Sequence, residues 1–293
     1  MSKTPKLLTL KEFQARFDSD DECLDHLMAT RYGKRHTCAK CGKLAKFHRV
    51  KSRRCYECDI CGYQVYPTAG TPFENTRTPL TDWFLVMCMF CASRNGVSAK
   101  EVQRTIGVTY KTAWRMCNLI RQYMGYVDGD NSLGGKGGGV VETDEMFWGG
   151  VEKRGQDDKA IIFGAIERGG KVVTEVLPSR KARHIMPAIF KWVRPGSRIA
   201  TDESLSYCDL IENGYLHGTV NRSEGQYVSG QVHTNTIEAF WAHVKRSMSG
   251  TYVSVSKKWL QTYLWEFESR QNLRKQPHLM LDLLLQSFPR PAP

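Results

Sequence analysis

The spacing of apolar residues changes character across a glycine-rich stretch near the middle of the chain. From Pro79 to about Tyr126, apolar residues recur every three or four positions, and this period predicts helices. After the stretch, short runs rich in β-branched residues predict strands, and Arg168-Gly169-Gly170 predicts a hairpin turn between two of them. The runs are Val140–Met146, Ala160–Glu167 and Lys171–Leu177. A helical part is therefore followed by a part that begins as a sheet.

Helix and strand patterns alternate in the remainder of the chain. Pro187 suits the first position of a helix and damages an interior, so it predicts a short helix over Ala188–Val193. Ser197–Thr201 predicts a further strand. Two longer helices are predicted over Asn235–Met248 and Lys257–Leu273. Strands followed by mixed strands and helices favour an α/β domain on a mixed sheet.

The glycine-rich stretch reads Leu-Gly-Gly-Lys-Gly-Gly-Gly over Leu133–Gly139. A phosphate-cradling loop would end in Gly-Lys followed by Ser or Thr, and that ending is missing. Glycine runs otherwise behave as flexible chain. We therefore predict a flexible linker over residues 127–139.

Four cysteines form two matching pairs ahead of the helical part. Each pair is a Cys-x-x-Cys-Gly sequence, Cys38 with Cys41 and Cys58 with Cys61, and sixteen residues separate the pairs. Structural Zn²⁺ takes four such ligands in a tetrahedron, and glycine allows the sharp turn after each second ligand. We predict a structural Zn²⁺ site, with unmetallated buried cysteines and a redox pair as the alternatives. Four protein ligands leave no open position for catalysis.

Other cysteines fit different roles. Cys55 stands three residues before Cys58 without a glycine turn of its own, so we rank it as a spectator. Cys88 and Cys91 repeat the spacing inside an apolar helical run, which favours small core residues. The chain has ten cysteines, and its Lys-rich, acidic N-terminus does not resemble a signal peptide. A cytoplasmic protein that binds metal is therefore favoured over a disulfide scaffold.

Basic residues are concentrated in one part of the sequence. The net charge is +12, and residues 31–121 hold 17 Lys and Arg against 5 Asp and Glu, so this window carries the whole excess. A local basic excess is typical of nucleic-acid binding. No membrane partner is predicted, because an amphipathic or lipidated anchor is absent from the sequence. The longest apolar run, Trp83–Ala92, is about half of a bilayer-spanning helix.

The basic window contains two candidate DNA-contacting segments. Arg53 and Arg54 lie between the cysteine pairs, in a segment that we expect to contact phosphate. Ser98–Glu101 has the form of a capping box, and Gly107 then separates two helical patterns. This arrangement is typical of a helix-turn-helix, whose second helix can lie in a DNA groove; an ordinary helical hairpin is the alternative. The predicted polar contacts of the second helix are Tyr110, Lys111, Arg115 and Arg121.

Acidic residues at the ends of predicted elements indicate a candidate metal centre. Asp144 and Glu145 follow one strand and point to opposite faces, so only one of them can join a given site. Asp202 and Glu203 repeat the pattern, and Glu238 follows on a predicted helix. Mg²⁺ prefers oxygen ligands and commonly takes one or two carboxylates, which leaves positions for water and phosphate. A solvated strand end is the alternative for each pair.

Two further residues share the helical face of Glu238. Lys245 lies seven positions later, about two turns, where a cation can hold substrate phosphate. Asn235 lies three positions earlier. It fits both an N-cap with Glu at the third position and a neighbour of the active site, and both interpretations remain open.

These motifs resemble those of DDE-type insertion-sequence transposases, which join an N-terminal zinc ribbon to an RNase H-like (ISXO-like) catalytic domain. The resemblance covers about residues 34–275. It is carried by the two cysteine pairs and by the stretches Thr68–Phe73, Val108–Met116, Val141–Glu145, Ile199–Glu203 and Val232–Trp241. It implies that Asp144, Asp202 and Glu238 are catalytic acids that bind two Mg²⁺ or Mn²⁺ ions, with Lys245 beside them.

The resemblance also implies a fold class and a domain order. We expect an α/β RNase H-like catalytic domain, with a mixed sheet flanked by helices, preceded by a small zinc ribbon and a helix-turn-helix-like module. The predicted division is an N-terminal helical segment over 1–33, the ribbon over 34–75, the helical module over 76–126, the linker over 127–139 and the catalytic domain over 140–285.

DNA is the partner that the resemblance implies. The ribbon and the helical module would bind terminal inverted repeats. The catalytic domain would hydrolyse a phosphodiester at the element's end, and the freed 3′-hydroxyl would attack target DNA. Joining two ends implies at least a homodimer, acting at the nucleoid of a bacterial cell. A metal-dependent DNA nuclease without strand transfer and a DNA-binding regulator without chemistry are the alternatives.

Overall fold

A computed structural model of the chain describes residues 8–127, 131–149, 159–202, 205–220, 228, 230 and 232–288. The chain divides into two units, one formed by Met1–Val127 and Lys275–Pro293 and the other by Asp128–Arg274. Within the described ranges, no helix is long and apolar enough to cross a membrane.

The first unit is built mainly from helices. They are α1 (Leu10–Arg16), α2 (Asp20–Tyr32), α3 (Leu80–Ala92), α4 (Ala99–Ile106), α5 (Tyr110–Met124) and α9 (Met280–Gln286). Its short strands are β1 (His36–Thr37), β2 (Leu44–Ala45), β3 (Phe47–Val50), β4 (Cys55–Cys58) and β5 (Gln64–Val65). β1 pairs with β2, and β3, β4 and β5 form a second antiparallel sheet. The paired cysteines pack between these small sheets, as predicted for a zinc ribbon.

Polar caps begin the two N-terminal helices. Thr9 and Glu12 form a complete capping box at α1. At the start of α2, the Ser19 hydroxyl accepts a hydrogen bond from the Glu22 N–H. The predicted N-terminal helical segment therefore contains two helices, α1 and α2.

The helices α4 and α5 form where the two helical patterns around Gly107 are predicted, and this arrangement fits both a helix-turn-helix and an ordinary helical hairpin. The Ser98 hydroxyl accepts from the Glu101 N–H (3.1 Å), which confirms the predicted cap of α4. Gly107 ends this helix in the left-handed conformation, with φ 71°, where glycine meets no Cβ penalty. The Thr109 hydroxyl then accepts from the Thr112 N–H (3.2 Å) and begins α5.

The C-terminal helix α9 belongs to the first unit, where it packs on α2 and α3. Asp282 Oδ1 lies 2.8 Å from His26 Nε2. The Phe288 ring contacts those of Phe73 and Tyr123, with centroids 5.5 and 4.7 Å away. The predicted catalytic domain of residues 140–285 includes most of this helix, whereas the structure places the helix in the first unit.

The second unit is a mixed sheet flanked by helices. Its strands are β6 (Val141–Trp148), β7 (Ala160–Glu167), β8 (Val172–Leu177), β9 (Arg198–Thr201) and β10 (Leu216–Thr219). Its helices are α6 (Ala182–Trp192), α7 (Asn235–Ser247) and α8 (Lys257–Asn272), with a 3₁₀ turn over Leu205–Leu210 and a π turn over Met248–Tyr252. The described strands run in the order β10-β9-β6-β7-β8; β6, β7 and β8 are antiparallel, and β9 and β10 run parallel to β6. The predicted α/β, RNase H-like fold class is confirmed.

Alternate residues of the strands enter two separate cores, one on each face of the sheet. The core on the α6 side includes Phe163 and Ala165. The core on the side of α7 and α8 includes Ile162 and Trp241. Gly164 of β7 lies on the same face as Ile162, and a Cβ built there would come 2.3 Å from Trp241 Cζ2. Glycine at this position therefore allows α7 to lie close to the sheet.

Helix α8 covers the free edge of β8 with polar side chains. The Val172 N–H donates to Asn272 Oδ1 (2.7 Å), and the Asn272 amide donates back to the Val172 carbonyl (3.0 Å). The Thr174 N–H donates to Glu268 Oε1 (2.7 Å), and the Val176 N–H donates to a glutamine of the same helix. An uncovered edge strand is a template for aggregation, and these contacts satisfy its backbone groups.

Pro187 does not begin a helix, as the sequence predicted, but lies inside α6. The helix begins at Ala182, and Pro187 lies inside it, so the predicted start at residue 188 is wrong. Ile185 and Ile189, on either side of the proline, are fully buried against the sheet. Their packing outweighs the one backbone hydrogen bond that proline cannot donate.

The glycine-rich stretch is a packed part of the second unit over residues 131–139. Leu133 is fully buried, and its N–H donates to the Trp192 carbonyl (2.8 Å). The Gly139 N–H donates to Glu167 Oε1 (2.9 Å), and the Gly135 N–H donates to Ser197 Oγ (2.8 Å). The expectation of a flexible linker is therefore wrong for these residues. The same contacts occupy N–H groups that a phosphate-cradling loop would need.

Candidate active site

Strand register sets the first two predicted acids level with each other. The parallel strands β6 and β9 pair Val141 with Ile199 and Glu142 with Ala200. The same offset, continued by two residues, brings Asp144 level with Asp202, which directly follows β9. β6 continues along β7 to Trp148, so Asp144 lies inside its strand rather than at the predicted strand end. Glu203 lies outside the described residues.

Cross-strand pairing assigns Asp144 to one face of the sheet. Asp144 pairs with Gly164, and a Cβ on Gly164 would meet Trp241 and Ile237 of α7. Directly paired residues of antiparallel strands share a face. Asp144 therefore lies on the face that α7 covers.

Glu145 lies on the opposite face, as the alternation predicts. It pairs with Phe163, and its Oε1 accepts a hydrogen bond from the buried Tyr207 hydroxyl. Burial raises the pKa of Glu145, the Tyr207 hydrogen bond lowers it, and the negative charge of Asp202 raises it again. The two acids of this pair therefore have different surroundings.

The third predicted acid, Glu238, lies in the first turns of α7. Its neighbours Ile237 and Trp241 are buried against the sheet, and Glu238 itself is partly exposed. The Thr234 hydroxyl donates to Glu238 Oε1 (2.8 Å). Lys245 is exposed two turns further along the same helix.

Glu142 is the site residue that sequence reasoning missed. Its side chain is fully buried, and its Oε2 accepts from the N–H groups of Thr236 (2.7 Å) and Ile237 (3.0 Å). Its Oε1 accepts from Arg168 Nε (2.6 Å), and His233 Nδ1 lies 3.1 Å away. The signal in the sequence was a charged residue two positions before Asp144, on the same strand face, where burial requires partners.

Asn235 does not cap α7. The N-cap is Thr234, and Asn235 is the exposed first residue of the helix. Glu142 takes the N–H groups that an N-cap side chain would normally accept. The cap interpretation of Asn235 is therefore wrong, and a role beside the active site stays a prediction.

The three predicted acids do not form a compact ligand group. Within the described part of the chain, only four cysteines form a group of three or more His, Cys, Asp or Glu side chains whose ligand atoms all lie within 4.8 Å of one another. Asp144, Asp202 and Glu238 therefore do not form such a group. Their chemistry nevertheless fits a hard cation, because all three are carboxylates and register sets the aspartates level.

The cysteine group is the predicted one. The Sγ atoms of Cys38, Cys41, Cys58 and Cys61 all lie within 4.8 Å of one another, which fits a tetrahedral Zn²⁺ site. Gly42 and Gly62, directly after the second cysteine of each pair, have φ of 67° and 69°, as the sharp turns require. Cys55 is fully buried outside the group.

The predicted DNA-contacting residues differ in exposure. Arg53 is exposed, and Arg54 Nη2 lies 2.8 Å from Asp20 Oδ2. Tyr110, Lys111 and Arg115 are exposed on α5.

The prediction that Arg121 is an exposed polar contact of α5 is wrong, because only 1% of this residue is exposed. Its Nη2 donates to the Val97 carbonyl (2.8 Å), and its guanidinium lies 5.2 Å from the centre of the Phe90 ring. This side chain holds the core of the helical module and does not face solvent. The helical period alone placed it with the polar contacts.

Comparison with known proteins adds family resemblances to this geometry. The profile of the ISXO2-like transposase domain matches residues 136–272, and that of the transposase zinc-ribbon domain matches residues 18–64. An uncharacterized protein in transposable element ISH50 of Halobacterium salinarum is 27% identical over 251 residues, covering 78% of this chain and 82% of that protein. An uncharacterized transposase-like protein of Haemophilus influenzae is 31% identical over 102 residues, covering 35% of this chain and 81% of that protein. No solved structure matches the chain.

Proposed function

We propose that the chain, which belongs to the family of transposases with an ISXO2-like domain and a transposase zinc ribbon, cuts and joins DNA at the ends of an insertion sequence. The observation that carries this proposal is the register that sets Asp144 level with Asp202, on the sheet face covered by the helix of Glu238. In the first reaction, water attacks a phosphodiester at the element's end and the 3′ oxygen leaves. In the second, the freed 3′-hydroxyl attacks a target phosphodiester, a new phosphodiester bond forms, and the 3′ oxygen of the cut target strand leaves.

Asp144, Asp202 and Glu238 are the residues that would hold Mg²⁺ or Mn²⁺, two ions in all. When bound, such ions stabilise the charge that develops on the transferring phosphate. Lys245, exposed on the same helix, would hold the DNA backbone beside the acids. Asn235, exposed at the start of that helix, would contact the DNA or the ions' water ligands.

The first unit would recognise the element's terminal inverted repeats. Exposed Arg53 on the zinc ribbon and Tyr110, Lys111 and Arg115 on α5 are available to phosphate and base edges. Arg54 can exchange its partner Asp20 for phosphate. The reaction joins two ends, so we propose an assembly of at least two copies, acting on chromosomal DNA in the cytoplasm.

A strand-transfer assay tests this proposal. The protein is incubated with Mg²⁺, labelled DNA carrying one end of the element, and a supercoiled target plasmid. We expect the labelled 3′ end to appear covalently joined to the plasmid. Cleaved but never joined DNA would instead favour a nuclease. Binding without cleavage would favour a regulator that lacks chemistry.

Variants of two α5 arginines would distinguish a role in DNA contact from a role in core packing. Arg115→Ala should weaken binding to end DNA and reduce the slope of log K against log [KCl] by about one, because one phosphate contact is lost. Arg121→Met should leave that slope unchanged and lower the free energy of unfolding by about 2 kcal/mol, because a buried hydrogen bond to a charged group is lost. Fluorescence anisotropy across a KCl series and thermal melting give the two readings. A reduced slope for Arg121→Met would contradict the assignment.

A further inference from the structure

A buried carboxylate lies beneath the helix that carries Glu238. Glu142 belongs to β6, two residues before Asp144 and on the same face of the sheet. It accepts hydrogen bonds from the first turn of α7 at Thr236 and Ile237. We infer that Glu142 is a positioning residue, which sets the first turn of α7 over β6 so that Glu238 lies on the sheet face of Asp144. This inference rests on the proposed function.

The hydrogen bonds at the start of α7 show why this helix needs an acceptor from strand β6. The N-cap residue Thr234 makes no side-chain cap, and its hydroxyl donates to Glu238 Oε1 (2.8 Å). The second and third N–H groups of the helix then need an acceptor, and Glu142 Oε2 supplies it at 2.7 and 3.0 Å. Glu142 therefore supplies the cap that Thr234 does not, and the Thr234 hydroxyl contacts the carboxylate of Glu238 on the same turn.

Charge partners keep Glu142 in this place. Arg168, in the turn between β7 and β8, donates from Nε to Glu142 Oε1 (2.6 Å) and from Nη2 to the His233 carbonyl (3.1 Å). The Nδ1 atom of His233 lies 3.1 Å from the same Glu142 oxygen. A carboxylate at a helix N-terminus is also favoured by the helix dipole. The cluster thus joins β6, the hairpin turn and the segment that leads into α7.

The same unit contains a second buried glutamate that serves as a control. Glu266 of α8 is fully buried and accepts from the Tyr252 hydroxyl (2.7 Å) and from Arg270. It holds α8 and the turn before it, and neither carries a predicted catalytic acid. Loss of its charge should lower stability without moving Glu238.

The variants Glu142→Gln and Glu266→Gln, each in the full chain, test the inference. A glutamine amide offers one oxygen where Glu142 offers two, so some of its donors lose their acceptor. We expect Glu142→Gln to weaken Mn²⁺ binding to the DNA-free protein by about 10- to 100-fold, as for partners that orient metal-binding carboxylates. Titration followed by electron paramagnetic resonance of free Mn²⁺ gives the affinity. Glu266→Gln should lower the melting temperature and leave that affinity unchanged.

Cleavage kinetics provide the second reading. Glu142→Gln should raise the Mg²⁺ concentration for half-maximal cleavage of end DNA more than it lowers the rate at saturating Mg²⁺. If Glu142→Gln does not fold, Thr236→Val removes only the hydroxyl contact to Glu142 (2.9 Å) and should weaken Mn²⁺ binding in the same direction by a smaller factor.

Measurements on the wild-type protein distinguish a failure of the positioning role from a failure of the proposed function. If it binds Mn²⁺ and cleaves end DNA while the folded Glu142 variant keeps wild-type Mn²⁺ affinity, the positioning role is overturned and the proposed function stands. Equal losses of affinity in the Glu142 and Glu266 variants would also overturn it, because they would reflect stability alone. A wild-type protein that binds no Mn²⁺ would overturn both.

Discussion

Asp144→Asn should reduce DNA cleavage by about 10³-fold or more, which corresponds to about 4 kcal/mol of lost transition-state stabilisation. The change removes one negative charge from the acids proposed to hold divalent ions and keeps the size of the side chain. Asp144 lies level with Asp202 on the face of the sheet that α7 covers, and the adjacent acid Glu145 lies on the opposite face. Single-turnover cleavage of end DNA in Mg²⁺ gives the rate, and anisotropy should give an unchanged DNA affinity.

The adjacent acid is the matched control for this experiment. Glu145→Gln removes the same charge one residue away, on the opposite face, and the amide can still accept from the Tyr207 hydroxyl. We expect its cleavage rate to stay within about 10-fold of wild type, the change of a variant that leaves the reacting groups in place. The reverse result, with Glu145→Gln inactive and Asp144→Asn active, would show that the other face of the sheet carries the chemistry.

The strands of the second unit could be predicted because local pattern and tertiary environment agree. The runs 160–167 and 172–177 are rich in β-branched residues, and in the structure both strands are buried on two faces. The caps at Ser98 and Gly107 were equally visible, since capping depends on residues within one turn.

Other elements depend on contacts that no local pattern records. Strand β10, Leu216–Thr219, has no alternation or β-branched run and exists because it pairs with β9. Pro187 is accepted inside α6 because the residues beside it enter the core. The glycines of 134–139 are ordered by Glu167 and Ser197, which lie far away in the sequence.

The residues of the candidate site also fall into those that local sequence pattern predicts and those that depend on tertiary contacts. Asp144, Asp202 and Glu238 were predicted from motif and spacing and stay a prediction, whereas the alternation of Asp144 and Glu145 followed from strand geometry. Glu142 was missed and Arg121 was wrongly expected to be exposed, because charged residues are usually found at the surface. Burial of such a charge depends on partners brought by the fold, which here are the α7 N-terminus for Glu142 and the Val97 carbonyl for Arg121.

Cys58→Ser should unfold the zinc ribbon. The four cysteines form a closed set of ligands, and structural Zn²⁺ in small domains contributes about 10–16 kcal/mol of apparent binding free energy that is also folding free energy. The two small sheets around the site have few other buried residues, so the metal is their main source of stability. We expect the variant to purify without stoichiometric zinc and to be cleaved by protease within residues 34–75. Its affinity for end DNA should fall by at least about 10-fold as ribbon phosphate contacts are lost.

Cys55→Ser is the matched control, because Cys55 lies on the same strand β4 and is fully buried but does not belong to the cysteine group. It should keep one zinc per chain and resist protease, although a buried hydroxyl costs about 1–3 kcal/mol. Zinc content measured by mass spectrometry, together with protease resistance, separates the two variants. Loss of zinc from Cys55→Ser with retention in Cys58→Ser would exchange their roles. Retention of zinc in both variants would contradict the proposed four-cysteine site, because removal of one of four ligands should not leave a stable metal centre.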